Sequence, residues 1–135
     1  MTALRLNLLS SVYAICRLEP QARIPDWVDF NGSVSGRAGG IVSISRTPDE
    51  LSVLCEQSLI PDGIQSEKDW RCFKVEGPLS FQLTGILSSI LGPLAKAEIS
   101  ILAFSTFDTD YVFVKEENLT RTLRIFQECG FAVAN

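Results

Sequence analysis

The amino-acid sequence predicts an α+β protein built from two copies of one split β-α-β unit, the amino-terminal copy trimmed. Three observations predict it. Laid over itself at an offset of 60, the sequence keeps its apolar register across three separate segments. The second copy switches between strand and helix periods in the order β-α-β-β-α-β. Of the 135 residues, 46% are hydrophobic and 21% charged, enough apolar material for a core and no signature of disorder.

In the overlay Ile41–Ser45 falls on Ile101–Ser105, Glu50–Glu56 on Asp110–Glu116, and Ser58–Leu59 on Asn118–Leu119; upstream, Val12–Cys16 meets Cys72–Glu76. Identities are few: Ile41, Ser45, Glu56 and Leu59 with their partners. Register matters more than letters, because a slip of one residue turns a strand's buried set to solvent. The expected halves are residues 1–63 and 64–135.

In the second copy, Trp70–Gly77 alternates, with Trp70, Cys72 and Lys74 against Arg71, Phe73 and Val75, and Gly77-Pro78 ends the strand. Between Thr84 and Lys96 the residues Ile86, Leu87, Ile90, Leu91, Leu94 and Ala95 make one helical face. Pro93 cannot donate to Ser89 and should bend that axis. Ile99–Ser105 is a mostly apolar run suited to a central strand. Thr106–Thr109 turns, and β-branched, aromatic Tyr111–Lys115 completes a hairpin. Asn118 is placed to cap a helix that carries Leu119, Thr122, Leu123, Phe126 and Cys129 inward and stops at Gly130. Phe131–Val133 is a last short strand. The order is that of a ferredoxin-like unit.

The first copy sets local chemistry against the repeat. Thr47-Pro48-Asp49-Glu50 reads as a helix start, with Leu51, Leu54, Cys55 and Leu59 as its stripe. The overlay makes the same four residues a hairpin turn and Leu51–Glu56 a strand, and that reading is preferred. Between Pro20 and Gly40 the helical pattern is weak, and Gln57–Gly63 is too short for a full helix.

Composition removes whole function classes. There is no histidine, so Ser-His-Asp and Cys-His nucleophiles, imidazole acid–base catalysis and His-liganded metals are excluded. Twelve scattered Lys and Arg against 16 Asp and Glu make no phosphate-binding face, so nucleic acid is not an expected partner. Cys16, Cys55, Cys72 and Cys129 form no C-x-x-C pair and read as small buried hydrophobes. The opening Met1–Leu18 is interrupted by Asn7, Ser10 and Ser11, and no stretch reaches the roughly 18–20 apolar residues of a membrane helix. A soluble, cytoplasmic protein with no membrane partner is expected. Gly36-Arg37-Ala38-Gly39-Gly40 has no phosphate-loop spacing and reads as a plain loop. The carboxylates Asp108, Asp110, Glu116 and Glu117 read as turn and helix-start residues, with no metal site expected.

The run Ser105-Thr-Phe-Asp-Thr-Asp-Tyr-Val-Phe-Val-Lys-Glu-Glu-Asn-Leu119, together with Ile90-Leu-Gly-Pro-Leu-Ala95 and Ile99-Ser-Ile-Leu102, carries a resemblance. Over roughly 60 residues from Trp70 the chain resembles the tandem ACT domain of small bacterial proteins of unknown role, shared with the eukaryotic cytosolic arginine sensor CASTOR. The amino half matches loosely, through Ile41–Glu56. The resemblance implies a ferredoxin-like (βαββαβ) ACT fold in two tandem units, a homodimer, and a regulatory sensor that binds an amino acid, arginine-like ligands included, at an interface between units. It implies no enzyme and no cofactor.

Such a ligand needs donors for its carboxylate and acceptors for its ammonium. Helix amino ends supply donors, which points to the loop Gly77–Gly85 with Ser80, Gln82, Thr84 and Gly85. In ACT sensors the facing surface is the start of the second strand, here Glu98–Ile101; Ser100 matches a ligand-contacting serine and Ile101 offers backbone. In the first copy Gly39 and Gly40 precede Ile41 as Ile99 and Ser100 precede Ile101, and would line a cleft in the same way. Ser100 equally suits a small residue between packed isoleucines, and Thr84-Gly85 an ordinary helix cap. Two rivals stand beside the sensor: a protein-interaction module of the same fold with no ligand, and a small enzyme using Asp or Glu with Tyr13 or Tyr111.

Overall fold

The computed structural model describes residues 4–28, 40–76 and 85–135. In chain order the elements are β1 (Arg5–Leu18), β2 (Ser43–Arg46), β3 (Leu51–Glu56), β4 (Ser66–Val75), α1 (Ile86–Lys96), β5 (Ile101–Ser105), β6 (Asp110–Lys115), α2 (Leu119–Glu128) and β7 (Ala132–Ala134), with 3-10 turns at Gln57–Leu59 and Glu116–Asn118. The chain divides into two compact units: a carboxyl unit of Met1–Ser10 and Trp70–Asn135, and an amino unit of Ser11–Asp69.

In the carboxyl unit β4 and β6 pair antiparallel, from Trp70 opposite Lys115 to Lys74 opposite Tyr111. β5 lies antiparallel on the far side of β6. The opening residues of β1 run parallel to β7, with Arg5 opposite Ala132. Glu76 N–H donates to the Arg5 carbonyl at 2.8 Å, so β1 stands between β7 and β4. The unit is thus β-α-β-β-α-β with one added strand from the chain's start. Alternation along β4 and β6 turns Phe73, Val75, Val112 and Val114 to one face, and Ile90 and Leu94 of α1 and Phe126 of α2 cover them. Phe126 meets Phe73 edge to face, ring centroids 5.0 Å apart at 80°.

The amino unit repeats the strand pattern, with no α-helix among its described residues. β3 pairs antiparallel with β1, from Tyr13 opposite Glu56 to Leu18 opposite Leu51, and with β2. Arg17 N–H donates to the Gln65 carbonyl at 3.0 Å, bringing the head of β4 to the other side of β1. Its smaller core is Cys16, Val28, Val53 and Cys55.

Leu51–Glu56 is a strand, as the repeat requires. The capping chemistry of Thr47 is nonetheless present: its hydroxyl accepts N–H bonds from Asp49 and Glu50, and Thr47 N–H donates to the Glu50 carbonyl at 2.9 Å. Here those bonds close a four-residue hairpin loop rather than open a helix. Thr106 repeats the arrangement, with its N–H on the Thr109 carbonyl at 2.8 Å. Thr47 therefore matches Thr106, an offset of 59, and the sequence overlay at 60 is one residue out across the hairpin. At 59, Val53 and Cys55 fall on Val112 and Val114, the core residues of their respective units. The slip has a physical source: β3 is buried on both faces, so its apolar run does not mark which face is which.

Other expectations are corrected. β5 is an edge strand, paired with β6 alone. Asn118 sits at the start of α2 but makes no side-chain cap, and its carbonyl accepts from the Thr122 hydroxyl at 2.8 Å. Cys129 is exposed, while Cys16, Cys55 and Cys72 are buried. Among the described residues no helix is long and apolar enough to cross a membrane.

Two outcomes follow from this packing. Phe126→Ala should cost about 3–5 kcal/mol, read as a lower urea midpoint at unchanged slope. Burial, then the neighbouring Cys16 and Glu56, pushes the Cys55 thiol from 9.0 up to about 12. A thiol neutral in the fold and ionised when unfolded stabilises below pH 9.0 and loses that contribution as pH rises toward about 12. Urea titrations should show stability falling across that window, and Cys129 should react first with a thiol reagent at about pH 8.

Candidate functional site

The expected site residues that are described fall around α1. Gly85 stands at the helix start with φ 78° and ψ 0°, a left-handed conformation that glycine adopts freely. At the other end the chain closes by a Schellman motif: Glu98 N–H donates to the Ala95 carbonyl and Ile99 N–H to the Leu94 carbonyl, each at 3.0 Å. α2 closes in the same way, Gly130 N–H on the Gln127 carbonyl and Phe131 N–H on the Phe126 carbonyl. The motif needs a left-handed residue at its turn. α2 supplies Gly130 at φ 82°, whereas α1 supplies Glu98 at φ 59°. A side chain there costs about 1 kcal/mol or more.

The turn is over-determined, which is why it holds. Ile99, 4% exposed, is buried beside Leu94 in the core, and the Arg121 guanidinium donates to the Ala97 carbonyl. With Ile99 anchored inward, Glu98 and Ser100 on either side of it are exposed. Ile101 opens β5 opposite Val114 and is half-buried against the core. The structure therefore gathers Glu98, Ser100 and Ile101 at one corner. Gly85 lies at the far end of an 11-residue helix, about 16 Å away at 1.5 Å per residue. Gly40 and Ile41 belong to the amino unit, immediately before β2. Ser80, Gln82, Thr84 and Gly39 lie outside the described residues, as does Gly36–Ala38.

Two of the acidic residues near the hairpin, Asp110 and Glu116, have structural partners. Asp110 accepts from the Ser105 hydroxyl, and Glu116 accepts from Arg71 Nη1 at 3.2 Å. Among the described residues no group of three metal-ligating side chains is gathered. Burial, then Cys72 and Asp108, raises the Tyr111 phenol, away from the range that serves a general acid or base near neutrality.

Sequence reasoning missed two features. Trp70 Nε1 and Arg71 Nε are buried donors with no hydrogen-bond partner among the described residues; both lie on an alternating strand, where sequence gives no sign of an orphaned donor. A cavity of about 310 Å3 in the amino unit is lined by Ser11, Val12, Glu56, Gln57 and Ser58. Glu56 ending an apolar run was its only trace. The Glu98 turn yields one test: Glu98→Gly should raise stability by about 1 kcal/mol, read as a higher melting temperature. An unchanged or lower value would mean that the left-handed turn carries no strain.

Comparison with known proteins matches this geometry. A family model described as ACT domain matches residues 65–128, and a second, describing an amino-terminal domain, matches 11–63. The Homo sapiens protein named cytosolic arginine sensor for mTORC1 subunit 1 is 39% identical over 59 residues, which is 43% of this chain and 18% of that protein. The chain thus spans about a fifth of the length of the curated relatives it matches. A crystal structure of an Agobacterium tumefaciens protein is similar at 36% identity with a TM-score of 0.86, covering 98% of this chain and 93% of that one. The ligand-free regulatory subunit of aspartate kinase from Thermus thermophilus shares the fold, at TM-score 0.56 and 12% identity over 92% of this chain and 96% of that one. The split β-α-β carboxyl unit, the helix-closing turn ahead of its edge strand and the family match agree: the carboxyl-terminal segment, residues 65–128, is a member of the ACT domain family.

Proposed function

We propose that the chain is a non-enzymatic, cytoplasmic regulatory protein of two tandem ACT-like halves, 1–63 and 64–135, acting as a homodimer. Its ligand is an amino acid, held at the Glu98–Ile101 corner of the carboxyl unit; Gly85 with Ser80, Gln82 and Thr84, and Gly39–Ile41, are proposed as separate ligand contacts. One observation carries the reading. The exposed turn at the head of β5 keeps a glutamate in a conformation that glycine would adopt without cost, and strain of this kind collects at ligand-handling positions. Glu98 supplies a carboxylate for an ammonium, Ser100 a hydroxyl that both donates and accepts, and the corner exposes both. Bound ligand would favour one packing of the units or one partner interaction by its differential affinity for the two states.

A second reading, an interaction module with no ligand, is favoured by β5 itself: Ile101, Leu102, Ala103 and Phe104 form a half-buried apolar edge. Thermal-shift measurement against the common amino acids separates the two. At about 100-fold excess over its Kd, a ligand of the native state should add about 2.7 kcal/mol and raise the melting temperature. Arginine comes first in the panel because of the sensor named above, and Ser100→Trp should cancel the rise. Silence across the panel would leave the interaction module.

A further inference from the structure

We infer that the amino unit carries a second binding site, independent of the reading above, for a compact zwitterion whose carboxylate and ammonium sit on one short frame. The site is a groove of about 200 Å3 whose lining includes Ile15, Arg17, Glu50, Ser52 and Gln65. Its position follows from the ladder. Arg17 lies opposite Ser52 of β3, and on its other side Arg17 N–H donates to the Gln65 carbonyl at 3.0 Å. Cys16, Val53 and Cys55 belong to the amino-unit core, so alternation turns Ile15, Arg17 and Ser52 to the opposite face. The groove runs over that face, across β3, β1 and the segment entering β4.

Two charges of opposite sign stand in this groove, and they are not paired with each other. Arg17 Nη2 donates to the Asp49 carbonyl at 3.0 Å, which brings the guanidinium beside the peptide that leads into Glu50. The rest of its planar fork has no partner among the described residues. The Glu50 backbone is held twice by Thr47: its N–H donates to the Thr47 hydroxyl at 3.2 Å, and its carbonyl accepts from Thr47 N–H at 2.9 Å. The carboxylate of this half-buried residue has no partner among the described residues. A guanidinium fork grips a carboxylate through two parallel bonds, and a carboxylate accepts from an ammonium. A simple anion would lie beside Glu50 and a simple cation beside Arg17, each meeting its own sign. A zwitterion sets each of its charges against the opposite one. The anchors are Arg17 and Glu50; Glu67 also lines the groove and has an interaction of its own. Ser52 and Gln65 add a hydroxyl and an amide, and Ile15 an apolar wall for the ligand's carbon frame. Because the ladder and the Thr47 bonds already fix the backbone, little freedom is lost when a ligand arrives. The volume is below that of drug-sized pockets, which limits the frame to a few carbons.

The test is amide-detected NMR titration of the full chain with glycine, β-alanine and 4-aminobutyrate, and with propionate and n-propylammonium as single-charge controls. At least one zwitterion should shift the amides of Arg17, Glu50, Ser52 and Gln65, and each control should bind about tenfold more weakly or not at all. Arg17→Gln and Glu50→Gln should each weaken binding about tenfold or more. Arg17 is exposed and Glu50 half-buried, and if one variant fails to fold the other decides. A control that binds as tightly as the best zwitterion, shifts confined to other residues, or full affinity in either folded variant would overturn the site, as would silence from all three zwitterions. Shifts at Gly85, Glu98 and Ser100 that survive Arg17→Gln report the carboxyl-unit corner instead, so either reading can fail without the other.

Discussion

The contact on which the carboxyl unit depends is the edge-to-face meeting of Phe126 with Phe73. It joins α2 to β4, and around it Val75, Val112, Val114, Ile90 and Leu94 are excluded from water on the one sheet face that helices cover. An aromatic pair contributes about 0.5–1.5 kcal/mol beyond its buried area. The larger consequence is positional. Once that face is sealed, α1 has one depth and one direction at which Ile90 and Leu94 both fit, and the chain leaving α1 must bury Ile99 to complete the seal. The exposed corner at Glu98 and Ser100 is the residue of that demand.

The strain at Glu98 shows how packing overrides local preference. Two helices end with the same pair of backbone bonds, and one of them, α2, uses glycine as conformational cost dictates. α1 keeps glutamate. The core residue Ile99 on one side and the helix on the other leave its backbone no alternative, so a cost of about 1 kcal/mol is absorbed by burial worth more.

The two units reach related strand orders from unequal means. In the amino unit β2, β3, β1 and the head of β4 lie side by side, and the core is small, with Cys16 and Cys55 where the other unit has aromatic and β-branched residues. Gln57–Leu59 turns once where the other unit continues from Glu116–Asn118 into ten residues of α2. That abbreviation leaves space at the end of the β1–β3 ladder, and the cavity beside Glu56 occupies it.

The element kinds and their order in the carboxyl unit were legible in the chain, because Ile86 to Leu94 repeats at helical spacing, Tyr111 to Val114 is β-branched and aromatic, and Gly130 ends a periodic run. The Thr47 turn was legible through its repeat, though its own capping chemistry argued for helix. The Glu98 corner was legible only through family resemblance, since a left-handed glutamate leaves no compositional mark. Tertiary structure decided the remainder: that β1 continues far enough to insert beside β7, that apolar β5 is an edge, that the hairpins correspond at 59, and that Glu56 is buried beside a cavity. The physical reason is shared by all four. Periodicity reports which way side chains alternate along one segment, but a strand's neighbour, and the space left where two strands part, depend on residues distant in sequence whose pairing no local pattern encodes.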